Sequence, residues 1–313
     1  MTELQNIVWK NLEGIQLENE FLSVVVLPSL GGKIASIFEK KRGVELAAQN
    51  AGDFYRIPEW GDDFSLYDAS GLDEAFPNIA EAVVERDGKE YIYPDHGEIW
   101  SSSFGWIREE EGVRLKYRSR RFGYVYEKKI TLSGNQIILD YDIQNQWDQP
   151  FPCIWTFHGL MRYEEDMQFL YSDEAERFEN VFESEELGRV GERYDRVNER
   201  YDFERVPPKK TNAMVKFYVD GKLENGFCGY RYPALGVECR YHYDAEKFPY
   251  LGVWITAGGF RGDYNCAMEP ANGYYDNIKI AEKNNTLYYL KKENPLKFSL
   301  QIEVCDLKYD NVR

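Results

Sequence analysis

Gln136-Ile137-Ile138-Leu139-Asp140-Tyr141-Asp142-Ile143-Gln144-Asn145 decides the fold class. Ile137, Leu139, Tyr141 and Ile143 alternate with Ile138, Asp140, Asp142 and Gln144. A period of two puts one set on a buried face and the other towards water, the mark of a half-buried strand. Ser133-Gly134-Asn135 precedes it, and Phe122 to Leu132 lies upstream, so the three segments read as a β-hairpin. Outward from this hairpin the pattern repeats. Leu296, Phe298, Leu300, Ile302 and Val304 alternate near the C-terminus. Phe21 to Leu27 is a dense apolar run closed by Pro28-Ser29-Leu30-Gly31-Gly32, with Ile34 to Phe38 as its partner. Few segments show helical periodicity; the best is roughly Asp173 to Leu187, and its signal is weak. Residues 164–205 hold fifteen of the 54 acidic residues and read as a surface excursion on the main body. The expectation is one all-β, antiparallel sandwich domain spanning residues 1–313.

Composition narrows the function classes. The formal charge is −16, which argues against nucleic-acid binding because no basic patch dominates. The cysteines are Cys153, Cys228, Cys239, Cys266 and Cys305; an odd number with no CxxC spacing predicts neither a disulfide framework nor a zinc site. Met1-Thr2-Glu3-Leu4-Gln5-Asn6 lacks a basic-then-apolar signal pattern, and no apolar run reaches spanning length, so a cytoplasmic chain without membrane contact is expected. Aromatic residues make up 16%, which suits strands. There is neither a phosphate-cradling glycine loop, nor a dinucleotide fingerprint, nor Gly-x-Ser-x-Gly.

Three residues stand out as carriers of proton chemistry. Glu269 ends an uncharged run that follows the strand-like Tyr250-Leu251-Gly252-Val253-Trp254-Ile255-Thr256. A carboxylate there is either paired, with Arg261 or Arg240, or poised as a base. His158 ends Phe151-Pro152-Cys153-Ile154-Trp155-Thr156-Phe157-His158; it is either a core histidine bonded to backbone or a proton donor. His96 follows Pro94-Asp95 and precedes Gly97, in a turn where Asp95 could hold it. Two histidines and a carboxylate could also bind a metal, but no His-x-His or His-x-x-x-His spacing supports that. Asp73 and Glu74, in Gly71-Leu72-Asp73-Glu74-Ala75-Phe76-Pro77, offer a second carboxylate for a glycosidase, or simply a turn before a proline.

In order, these blocks resemble the aldose 1-epimerases, the galactose mutarotase-like proteins. The matching blocks are Leu27 to Ile34, Gly71 to Ile79, Pro94 to Trp100, Asn145 to Leu160, Phe248 to Trp254 and Glu269-Pro270. Together they span roughly residues 18–306. The resemblance implies a β-supersandwich and a site without cofactor or metal. It implies Glu269 as the base that takes the anomeric hydroxyl proton and His158 as the acid that protonates the ring oxygen. His96 then binds and polarises the sugar, with Asp73, Glu74, Trp155 and Arg240 also expected around it. The implied partner is a hexose, and the chain is expected to act as a monomer or homodimer. The chain departs from the family after His158, where Gly159-Leu160-Met161 follows, and in Trp60-Gly61-Asp62-Asp63, which replaces an Asn-rich Gly-Gly loop. A non-catalytic sugar-binding protein on the same fold is the alternative. A hexose-6-phosphate epimerase would need cations near the mouth, for which Lys33, Arg56 and Arg118 are available.

Overall fold

The computed structural model describes residues 2–86 and 88–307. Their strands form two large antiparallel sheets, one of thirteen strands and one of eight, with two small two-stranded ribbons. The expected hairpin is present as Tyr124–Ser133 and Gln136–Asn145, in register from Ser133–Gln136 to Tyr124–Asn145. Gly134 takes the left-handed backbone (φ +57°) that the two-residue loop requires. Asn135 donates to the carbonyl of Val304 at 2.8 Å and ties the turn to the next strand, Leu296–Asp306. Ile137, Leu139, Tyr141 and Ile143 are buried, as their spacing predicts. They meet Val24, Val26 and Ile37 of the thirteen-stranded sheet in one shared core. Leu22–Leu27 pairs with Lys33–Glu39, close to the expected bounds, with a bulge between Val25 and Val26.

Asp173 to Leu187 is not helical. Arg177–Asn180 is a strand of the larger sheet, paired on one side with Arg193–Asp195 and on the other with Met214–Val219. Tertiary packing overrides the local signal: Phe178 is fully buried and stacks on Phe203 at 4.4 Å. Asn180 also donates to the carbonyls of Gly188 and Arg189, closing the loop that follows. Nor is residues 164–205 only an excursion. Gln168–Tyr171 extends the eight-stranded sheet by pairing with Phe227–Tyr232, so the segment builds the edges of both sheets. The α-helix Ile278–Lys283 is short and capped by Asn277, whose side chain accepts from Lys279 and Ile280. No helix among the described residues is long and apolar enough to cross a membrane.

Candidate active site

Neighbouring strands of the thirteen-stranded sheet place one polar row side by side. His158, on Thr156–Gly159, is registered opposite Asp73 on Leu72–Ala75. The pairings Thr156–Ala271 and Met161–Cys266 then fix His158 opposite Glu269 on Tyr264–Ala271. Glu269 lies opposite Gly252, and Gly252 opposite Tyr218. Residues directly across an antiparallel ladder share a face, so Asp73, His158, Glu269 and Tyr218 all project from one side. Gly252 is the gap in the row. A Cβ there would sit 3.0 Å from Cζ of Tyr218 and 3.2 Å from Oε2 of Glu269. Two residues along, Lys216 lies opposite Trp254 and shares the same face.

These side chains line a cavity of about 380 Å3, within the usual size for a small-molecule site. Its titratable groups are His96, His158, Glu269, Lys216, Asp276 and Asp95; Phe64, Phe182, Trp254 and Phe260 supply aromatic walls. Phe64 is positioned by the turn Phe64–Leu66, which Asp63 caps by accepting from the Ser65 amide at 2.8 Å. Its ring stacks on His96 at 4.0 Å and meets His158 edge-on at 5.3 Å. His96 sits in left-handed backbone (φ +56°), its amide donating to the Ile79 carbonyl at 2.6 Å and its Nδ1 2.9 Å from Asp95.

Charge is organised behind the row. Nδ1 of His158 is 3.0 Å from Oδ1 of Asp73. Oδ2 of Asp73 is 3.1 Å from the Lys33 ammonium, which donates to the Ser70 carbonyl at 2.6 Å. All three are buried. Burial alone would raise the Asp73 carboxyl; Lys33 and the hydrogen bond from His158 overcome it and hold it at about 2. With Nδ1 committed to an ionised carboxylate, Nε2 is the nitrogen left for chemistry. Glu269 is fully buried, and its Oε1 has no hydrogen-bond partner among the described residues. Its cationic neighbour is Lys216, whose Nζ lies 3.0 Å from Oε2. Neither arginine expected as its partner is there. Arg261 pairs with Asp263 and donates to the carbonyls of Ser65 and Tyr67. Arg240 pairs with Glu238 and Glu303.

The profile of a domain of unknown function, DUF5107, matches residues 4–262. The chain belongs to the DUF5107 family. No curated protein matches it. Solved structures resemble this DUF5107 chain along nearly its whole length. A protein from Synechocystis sp. PCC 6803 aligns with a TM-score of 0.73 at 16% identity, covering 97% of this chain and 100% of its own. A galactose mutarotase-like protein from Clostridium acetobutylicum gives 0.71 at 14% identity, with 98% of each chain covered. A galactose mutarotase related enzyme from Lactobacillus acidophilus gives 0.69 at 14% identity, covering 96% and 99%. At these identities the likeness is one of fold, and the DUF5107 chain has the galactose mutarotase-like sandwich fold.

The structure brings His96, His158 and Glu269 to one cavity, with Asp73 directly behind His158. It places the other three expected sugar contacts elsewhere. Glu74 follows Asp73 on the same strand and therefore faces the opposite way, into the core. There it accepts from Lys128 at 2.9 Å and from the Tyr141 hydroxyl at 2.6 Å. Trp155 is fully buried between Tyr141, Phe248 and Phe298, its Nε1 donating to the Tyr126 hydroxyl at 2.8 Å. Arg240 belongs to the eight-stranded sheet, on Val237–Tyr243. Sequence reasoning missed Lys216 and Asp276. Lys216 carried the same signal as Glu269: one charge in an otherwise apolar strand, Met214–Val219.

Proposed function

We propose that this chain is an aldose 1-epimerase-like isomerase that interconverts the anomers of a hexose. The observation that carries the reading is the pairing of His158 and Glu269 across adjacent strands, both facing one cavity. Anomer exchange needs an acid and a base on opposite sides of one acetal-type carbon. The Glu269 carboxylate takes the proton of the C1 hydroxyl, for which Oε1 has free lone pairs. His158, as the imidazolium, gives a proton from Nε2 to the ring oxygen. The C1–O5 bond breaks, the C1 carbonyl forms, rotation about C1–C2 exchanges its faces, and the same two transfers run backwards. Each positioned group contributes about 10²–10⁴-fold. Asp73 supports the cationic ring of His158, while His96 stands ready to bind a sugar hydroxyl from the rim. The aromatic walls suit the apolar faces of a pyranose.

A non-catalytic sugar-binding protein is the second reading. The ion pair between Glu269 and Lys216 favours it, because a purely structural carboxylate would be paired in this way. A sugar phosphate has no such support. Lys33 is buried against Asp73, Lys216 is flanked by two carboxylates, and Arg56 and Arg118 are exposed outside the cavity lining. Polarimetry on freshly dissolved α-D-glucose and α-D-galactose separates the two readings. Wild-type protein should accelerate mutarotation, and Glu269→Gln should lower the rate by about 10²–10⁴-fold with sugar affinity little changed. Near-normal turnover in folded Glu269→Gln would refute the assignment of the base.

A further inference from the structure

Lys216 is the charged residue of the strand Met214–Val219, and it is buried. Its Nζ lies 3.0 Å from Oε2 of Glu269 and 3.0 Å from Oδ2 of Asp276. Asp276 stands just before the helix Ile278–Lys283 and accepts from the Tyr218 hydroxyl at 2.7 Å. Its carbonyl accepts from the Ala80 amide at 2.9 Å, so the loop is pinned to the cavity rim. The arrangement is carboxylate, ammonium, carboxylate, with one carboxylate in the sheet and one on the loop.

A buried carboxylate stays charged in one of two ways. It can be satisfied by hydrogen bonds, which occupies its lone pairs, or a nearby cation can hold it by charge. Glu269 has the second arrangement. We propose that Lys216 is a positioning residue that keeps Glu269 ionised from its Oε2 side while leaving Oε1 open to the substrate hydroxyl, and that Asp276 holds the ammonium for this task. The inference rests on the epimerase reading for its purpose, but not for its physics. Burial works against the charge on Lys216, yet Asp276 and Glu269 outweigh it and hold the ammonium well above its ordinary value. Lys216 therefore stays cationic and is neither a base nor a nucleophile itself.

Further titratable groups surround the pair. His158 faces Glu269 from the next strand, backed by Asp73 and Lys33. His96 and Asp95 line the same cavity, Tyr218 donates to Asp276, and the Tyr274 ring packs edge-on against Tyr218.

The test uses full-length protein labelled with 13C at glutamate carboxyl carbons, with the Glu269 resonance assigned by its loss in Glu269→Gln. In Lys216→Met the Glu269 signal should titrate about one pH unit or more higher than in wild type, because an opposite charge this close favours ionisation by that order. Asp276→Asn should move it the other way, since Lys216 is then left to Glu269 alone, and this variant decides the matter if Lys216→Met does not fold. The acidic limb of the mutarotation pH profile should follow the same two directions. Unchanged Glu269 midpoints, or shifts of the same sign in both variants, would overturn the proposal. Absent mutarotation in wild type with opposite carboxyl shifts would sink the epimerase reading and leave the Lys216 inference standing.

Discussion

Asp73→Asn isolates the charge relay behind His158. The substitution keeps the side-chain volume and an oxygen for Nδ1 of His158, but removes the carboxylate that Lys33 meets at 3.1 Å. Breaking a buried pair from one side costs about 3–5 kcal/mol, because the remaining charge is stranded. Part of that cost depends on pH in a defined direction. The carboxyl is held at about 2 in the folded chain against an ordinary value of 3.8. A depressed folded value means stability that is fully present above the unfolded value and is lost as pH falls towards the folded one. The difference corresponds to about 2 kcal/mol at pH 7, of which about 1 kcal/mol is gone by pH 3. Urea unfolding of wild type and variant at both pH values measures the gap directly, and every other carboxylate cancels in the difference. The gap should be about 1 kcal/mol smaller at pH 3 than at pH 7. A gap independent of pH would show that Asp73 is not ionised beside Lys33, and the support for a cationic His158 would go with it.

The residue next to it should behave oppositely in function. Glu74→Gln strands the Lys128 ammonium in the core and should cost about 3–5 kcal/mol in urea unfolding, with polarimetric turnover of the folded protein near wild type. Gly252→Ala puts a methyl 3.0 Å from Tyr218 and 3.2 Å from the Glu269 carboxylate. It should cost about 1–3 kcal/mol by overpacking and lower the mutarotation rate about ten- to hundredfold by displacing the base. A normal rate would show that the row tolerates the shift.

Much of the architecture is legible because the side-chain period of a strand is local. The hairpin at Gly134, the alternation from Ile137 to Ile143 and the Leu296 to Val304 pattern need no long-range information, and each appears as read. What the period cannot say is which face is the cavity. Asp73 and Glu74 are both carboxylic acids and adjacent in sequence; alternation guarantees that they diverge, and only the register against His158 decides which one serves it. Trp155 illustrates the same limit with aromatics, since a large ring suits a core as well as a sugar site. The strand at Arg177–Asn180 fails for another reason: its partners Arg193–Asp195 and Met214–Val219 are distant, and they override the local helical pattern.

The same reasoning bears on Glu269 and Lys216. A lone charge in an apolar strand is a request for a partner elsewhere in the chain. The sequence offers Arg261 and Arg240 as partners for Glu269. The structure answers with a lysine whose own strand makes the identical request. Two such strands flanking a third, Tyr250–Ala257, with a glycine on the middle one, leave room for the charges to meet across it. Gly252 is thus part of the signal: a strand between two buried opposite charges must lack a side chain where they approach. That condition is testable on other chains of this fold, wherever a base and its counter-charge sit on strands that are not neighbours.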